Sequence, residues 1–395
     1  MSGGCSVKSF DALNSLLKDN LLYDHQWHLH GKHPSFTSGS LCSVNAEYYW
    51  NSNQSFGDSD IVVAVADDGC LIDNFSNDYS DNIEAFTYIE NGKLNITKDK
   101  SKADRVFSDK FKHGTAICGL IAGPLSNSLP VGIAPTVKIL PIRWPYDNRF
   151  IINQSGFQQF VKALSDKVDI FVNTWSKLPD FILNNESIDL ISSLSSQGGR
   201  RGKGVLFLWS AGNSNCPINY DGDKKIVYSQ NINGEPKFSS HFSNNLSTLS
   251  NVLVVSAISP FYEKASYSCF GPGIDLCAPS HDAYSSNGEI KNLGLTTLSA
   301  DLKKYTHNFK GTSGACAVAA GVAALNLSLS MNQTAIEIAN NLKNKASRDL
   351  NKNYSSFESM VINLHEQVRH EFIFGKEEKY PDLFDVFYGA GRITV

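Results

Sequence analysis

The sequence predicts a doubly wound α/β fold, a parallel sheet with helices on both faces. Five short runs are nearly continuous in apolar, β-branched residues: IVVAVA at 61–66, VKILPIRW at 137–144, VDIFVN at 168–173, VLFLWS at 205–210 and VLVVSAIS at 252–259. They lack the polar alternation of a sheet with one wet face, so helices are expected over both faces. Segments long enough for crossover helices separate them, and strand alternating with helix is the pattern of a parallel sheet. A third observation is GTSGACAVAAGVAALNLSLS from Gly311, rich in small residues and free of charge. It predicts a buried central helix beginning near Thr312 or Ser313.

The remaining segments fill in around this core. Residues 1–18 read as a tail or a short helix ahead of a single domain over 19–395, because no repeat, low-complexity tract or linker divides the chain. MNQTAIEIANNLKNKA, from Met331, has apolar residues at helical spacing and predicts an amphipathic surface helix. Residues 74–110, 214–250 and 280–308 are rich in Asn, Ser, Asp and Lys and read as loops, where functional surfaces often lie.

Composition excludes several classes. The 395 residues are 42% hydrophobic and 19% charged with 29 glycines, unlike disordered, collagen-like or coiled-coil chains. With 35 Lys and Arg against 39 Asp and Glu, the net charge of −4 offers no footprint for nucleic acid or an anionic membrane. No apolar run reaches the roughly 20 residues that span a bilayer, so no membrane span is expected. The start, MSGGCSVKSFDALNSLL, lacks the basic and apolar regions of a secretory signal. The 8 cysteines show no CxxC spacing, which argues against a zinc centre or a thioredoxin-like pair. Recurrent Asn-x-Ser/Thr sequons, from Asn53 to Asn353, favour secretion, although an Asn- and Ser-rich chain produces many by chance.

Four positions could carry chemistry. Asp67 directly follows IVVAVA, which places a carboxylate at the carboxyl end of a buried strand, where α/β sheets bind ligands. A response-regulator acid, a phosphatase nucleophile or an Asp-Gly turn would read the same. His113, in KHGTAICGLIAG, precedes a small-residue helical segment, where an imidazole can serve as a base near neutral pH or be purely structural. Ser313 opens the buried helix, as a nucleophile or as a capping serine. Asn213, in WSAGNSN after another strand, is an amide donor suited to an oxyanion or an Asn-rich turn. Together, Asp, His and Ser can form a relay and Asn can complete an oxyanion hole.

The order DDG, HGT, SAGN, GTS resembles the subtilisin-like serine peptidases, with details of their kexin/furin-like branch. DNLLYDHQWHL, VDIFVNTWS, QGGRRGKGVLFLWSAGN, ASYSCFGPGIDLCAPS and YGAGRI extend the resemblance over about residues 19–395. It implies a subtilisin-like fold and peptide hydrolysis through an acyl-enzyme. Asp67 would orient the imidazole, His113 act as base and then acid, and Ser313 attack. Asn213 and the Ser313 N–H would hold the oxyanion. Asp67 takes the triad role over Asp68 as the first acid of the motif, a second acid being a mark of the kexin-like branch.

The resemblance also implies finer features. Trp175 and Ser176 fall in the substrate stretch, where the family has Trp-Gly. Asp221 matches one carboxylate of a basic first pocket, and Asp180 matches a second after a one-residue shift. The acids expected for the further subsites are not evident after Arg143, where the aromatic and basic WPYDNRF stands, so a single basic P1 residue is expected rather than a strict multibasic requirement. Structural calcium is implied, with Asp19 and Asn127 matching one site, although DNFSND replaces the carboxylate expected soon after the triad acid. Cys216 and Cys269 resemble a disulfide pair. Ala317 stands where the serine motif usually has proline. The expectation is a monomeric serine endopeptidase acting on peptides or proteins in the secretory lumen or outside the cell. A binding protein that kept the fold, and a transpeptidase or macrocyclase with the loop after Asp221 shielding its acyl-enzyme from water, are the rivals.

Overall fold

Every apolar run folds as a strand, and all five lie in one sheet. The computed structural model describes residues 9–36, 39–75, 81–91, 93–107, 112–143, 154–286, 289–301, 304–351 and 385–395. In chain order the strands are β1 (Val62–Asp67), β2 (Phe86–Glu90), β3 (Lys93–Thr97), β4 (Lys138–Arg143), β5 (Ile170–Asn173), β6 (Asp180–Phe181) and β7 (Leu206–Ser210). Then come β8 (Tyr220–Gln230), β9 (Pro236–Asn244), β10 (Val252–Ile258), β11 (Leu276–Pro279), β12 (Asp282–Ser286), β13 (Glu289–Leu293), β14 (Leu295–Leu298) and β15 (Tyr305–Phe309). The helices are α1 (Phe10–Lys18), α2 (Trp27–His30), α3 (Ala46–Asn53), α4 (His113–Ala122), α5 (Gln154–Leu164), α6 (Asn185–Gln197), α7 (Thr312–Leu329) and α8 (Ala335–Asn344).

The main sheet runs β11-β10-β7-β5-β1-β4-β2-β3, parallel throughout except for the antiparallel edge pair β2–β3. From β1 the chain first fills one side of the sheet with β2, β3 and β4, then crosses to the other with β5, β7, β10 and β11. The order therefore reverses at β1, and a crevice is expected outside the carboxyl ends of β1 and β5.

Because side chains alternate along a strand, successive residues feed two cores. Val63, Val65, Val172, Leu208 and Val255 pack with α4 and α7. Val62, Ala64, Ala66, Phe171 and Phe207 pack with Phe157 and Phe160 of α5 and Ile191 of α6. Both faces are covered, which explains the unbroken apolar runs. The sheet is thus the doubly wound arrangement with helices on both faces that the sequence predicts.

The predicted central helix is α7, buried from Thr312 through Leu327. It is apolar and 18 residues long, enough by length and composition to cross a membrane, yet it packs beside α4 on one face of the sheet with 89% of that stretch buried. The amphipathic segment is α8, opened by a capping box in which Thr334 and Glu337 satisfy each other's backbone N–H groups. Residues 10–18, open between tail and helix in sequence, form α1; its Leu17 is buried and Phe10 stacks on Phe56 at 4.8 Å.

The segments expected to be loops differ. They hold the antiparallel pairs β2–β3, β8–β9, β12–β13 and β14–β15. Hairpins pair with their sequence neighbours and can leave one face in water, so polar composition did not distinguish them from loops.

Small residues in α7 allow close approach. A Cβ at Gly321 would lie 2.7 Å from Cβ of Ile133, closer than real side chains approach one another. Gly321→Val should therefore overpack this contact and lower stability by about 1–3 kcal/mol, read as a fall in the urea midpoint at unchanged slope.

Candidate active site

Asp67 ends β1 at the switch point and is buried. A buried carboxylate needs donors, and three elements supply them. Oδ1 accepts the Asp68 N–H at 2.7 Å, both oxygens lie 2.9 Å from His113 Nδ1, and Oδ2 accepts the Thr174 hydroxyl. Burial alone would raise the Asp67 pKa. The His113 charge, its hydrogen bond and those of Thr174 and Asp68 outweigh it and hold the group below the usual carboxylate value.

His113 is the first residue of α4, and Asp68 fixes that helix end by accepting the N–H groups of Gly114 at 2.7 Å and His113 at 3.1 Å. Burial, then the charge of Asp67, pushes Asp68 up to about 6. Gly114 is required by proximity: a Cβ there would lie 2.1 Å from the Gly69 carbonyl and 3.0 Å from Cβ of Asp67. The His113 ring is 39% exposed, and the Phe309 ring lies 5.2 Å away. Burial opposes its protonation, but the charge and hydrogen bond of Asp67, with the charge of Asp68, win and raise its pKa above 6.5. An imidazole tied at Nδ1 presents Nε2 as the proton acceptor.

Ser313 is the second residue of α7, and its hydroxyl donates to the Thr174 carbonyl at 3.0 Å rather than to His113. Thr174 thus touches Asp67 with its hydroxyl and Ser313 with its carbonyl. Sequence reasoning missed Thr174, although it directly follows the apolar run of β5, the same kind of strand-end position that singled out Asp67.

Asn213 follows β7 and is exposed. Its Oδ1 accepts from the Thr312 N–H at 2.8 Å and the Thr312 hydroxyl at 2.9 Å, while that hydroxyl accepts the Gly212 N–H at 3.0 Å. With the amide oxygen committed, the NH₂ is left as the donor beside the Gly311–Ser313 turn. Thr312, also missed, sets that orientation. Asp67 and His113 are joined directly, Ser313 through Thr174, and Asn213 through Thr312.

A sequence profile of the Subtilase family matches residues 58–372. The chain belongs to the subtilase family. Among curated proteins, it is 26% identical over 353 residues to a calcium-dependent protease of Nostoc sp., covering 82% of this chain and 47% of that protein. It is 26% identical over 336 residues to a dibasic-processing endoprotease of Yarrowia lipolytica, covering 79% and 28%. This chain therefore spans less than half the length of either relative. Of solved structures, the serine protease of Aeromonas sobria matches with a TM-score of 0.60 at 21% identity, over 84% of this chain and 58% of that one. A cold-adapted subtilisin-like serine proteinase matches with a TM-score of 0.50 at 18% identity, over 74% and 85%.

The other expected site residues of this subtilase are scattered. Trp175 is buried in the second core, its ring at 5.0 Å from Trp209 and its carbonyl accepting the Trp209 indole N–H at 2.9 Å. Ser176 Oγ lies 3.0 Å from where a Cβ on Gly212 would sit, so this hydroxyl narrows the gap between the loops after β5 and β7. Asp180 and Asp221 lie on the small sheet β6-β9-β8 that follows those loops. Both are exposed, and Asp221 pairs with His241 at 3.5 Å. Residues 144–150, after Arg143, and the end of DNFSND lie outside the described residues.

Cys216 and Cys269 do meet, with Sγ atoms 3.8 Å apart as free thiols rather than a disulfide. Asp19 and Asn127 are both exposed, and no group of three His, Cys, Asp or Glu side chains is placed to hold a metal among the described residues. The carbonyls of Ser126 and Leu129, beside Asn127, already accept hydrogen bonds from the side-chain amide of Asn20. This donor set does not fit calcium, which requires oxygens on every side.

The raised His113 pKa sets the acid limb of the pH–rate profile. With neutral His113 as the proposed base, activity should fall as pH drops through a midpoint above the ordinary imidazole value of 6.5. Asp68→Asn removes a charge that favours protonated His113, and should move the limb of kcat/KM to lower pH.

Proposed function

We propose that this subtilase is a serine endopeptidase that hydrolyses peptide bonds through an acyl-enzyme. The observation that carries the reading is Thr174, which joins the Asp67–His113 pair to Ser313. Ser313 Oγ attacks the scissile carbonyl while His113 Nε2 takes its proton, and Asp67 holds the Nδ1–H tautomer and balances the imidazolium that forms. The Asn213 NH₂ and the Ser313 N–H, at the buried start of α7, face the oxygen where charge develops. The same imidazole then protonates the leaving amine, and water repeats the sequence on the ester.

A preference for one basic residue at P1 rests on Asp180 and Asp221, which follow the crevice loops by a few residues, and on the likeness to the Yarrowia endoprotease. Exposed carboxylates attract weakly, so the preference should be modest and should fade with salt. Secretion is supported by the sequon residues Asn53, Asn185 and Asn332, which are exposed and accessible to glycosylation, while Asn74 and Asn326 are buried. The Nostoc relative is named for calcium dependence, which supports a calcium requirement in this chain.

One observation favours a second reading, a binding protein that kept the fold: the Ser313 hydroxyl turns to Thr174 instead of His113. Catalytic hydrogen bonds often form only once substrate is bound, so hydrolysis remains the better reading. A fluorophosphonate probe separates the two. Labelling at Ser313 that disappears in Ser313→Ala is expected, and absence of labelling in the folded protein favours the binding protein. Asn213→Ala should lower kcat by about 10²–10³ with little change in KM. Ser176→Gly should widen the range of P1 side chains cleaved in a peptide library, with the largest gains for bulky residues.

A further inference from the structure

The loop at 123–135 carries the chain from α4, the helix that begins with His113, towards β4. Its carbonyls at Leu129, Val131, Ile133 and Pro135, every second residue, accept hydrogen bonds from side chains of four separate places. Asn20 Nδ2 donates to Leu129 at 2.8 Å, Gln26 Nε2 to Val131 at 2.7 Å, Trp50 Nε1 to Ile133 at 3.0 Å and Asn82 Nδ2 to Pro135 at 2.7 Å. Asn20 Nδ2 also donates to the Ser126 carbonyl at 2.9 Å, and Gln26 Oε1 accepts the Val131 N–H at 3.0 Å. All four donors are neutral and buried.

The orientation of Asn20 is fixed by chemistry. Its Oδ1 accepts the Leu22 N–H at 2.9 Å, so turning the amide over would set an NH₂ against an N–H. Both amide hydrogens are therefore committed to carbonyl oxygens, and Asn20 is 3% exposed. Calcium takes six to eight oxygens at about 2.3–2.6 Å. Here an NH₂ occupies the space that the Ser126 and Leu129 oxygens face, while the expected ligands Asp19 and Asn127 are exposed.

We propose that this subtilase holds the loop after the His113 helix with a neutral amide clamp in place of a divalent cation, and that the side chain at position 20 decides between the two. A carboxylate at position 20 would bring a charged oxygen against two carbonyl oxygens, an arrangement that repels itself until a cation enters. An amide closes the same space with hydrogen bonds alone. The order of this loop, and of the α4 end that Asn82 also holds through the Ala122 carbonyl at 2.7 Å, then does not depend on calcium.

Hydrogen exchange of peptides covering 124–135 tests this in the full chain, measured with chelator and with millimolar calcium. In the wild type, exchange is expected to be the same in both. In Asn20→Ala it is expected to be about tenfold or more faster in both, since the Ser126 and Leu129 carbonyls lose their donor. In Asn20→Asp it is expected to be fast in chelator and slowed by calcium. Wild-type exchange that speeds up in chelator and loses that response in Asp19→Ala would place a cation at the loop and overturn the proposal. Unchanged exchange in Asn20→Ala would show that the clamp does not hold the loop, and an Asn20→Asp protein indifferent to calcium would overturn the role of position 20. The wild-type arm needs no variant to fold.

Discussion

A carboxylate buried at the end of a parallel strand must find donors or give up its charge. Asp67 finds its donors in the next backbone N–H, in the imidazole that opens α4 and in the hydroxyl that follows β5. Each constrains a different element. Asp68, bonded through its N–H, turns its own side chain onto the first N–H groups of α4 and fixes where that helix begins. Gly114 lets the helix start come within contact of Asp67. Thr174 sets the loop after β5 against the loop after β1, across the point where the strand order reverses.

The nucleophile side is built by a different rule. The start of α7 is buried, so its first N–H groups need partners or a developing charge. Asn213 takes the Thr312 N–H, and the Thr312 hydroxyl ties the same asparagine to the loop after β7. The residue that would stabilise an oxyanion is thus aimed by the helix it serves. The two halves meet at Thr174, so His113 and Ser313 are held in register through its hydroxyl and carbonyl even with the serine turned away from the imidazole.

Chemistry and selection are separated in this architecture. The groups proposed to react sit at strand ends and helix starts packed by the sheet's cores, whereas Ser176, Asp180 and Asp221 lie on loops and on the small sheet beside them. A hydroxyl between two loops and carboxylates in water can be altered without disturbing the Asp67–His113 pair or the start of α7. The loop after α4 is held by the side-chain amides of Asn20, Gln26 and Asn82 and by the Trp50 indole, so the helix that begins with His113 is secured by neutral hydrogen bonds as well as by apolar packing.

Much of this was legible in sequence. Runs such as IVVAVA and VLFLWS are apolar because both faces of a parallel strand are buried, and GTSGACAVAAGVAALNLSLS is rich in small residues because a helix packed against both α4 and the sheet leaves little room for large side chains. Asp67, His113, Asn213 and Ser313 stood out because strand ends and helix starts are where such sheets present polar groups. The hairpins β8–β9 and β14–β15 were not legible, since pairing in a polar segment depends on a partner strand and not on local composition. Nor were the links Thr174, Thr312 and Asn20. Each acts through residues about a hundred positions away, and a hydrogen bond of 2.8 Å is a property of the assembled backbone that no local pattern encodes.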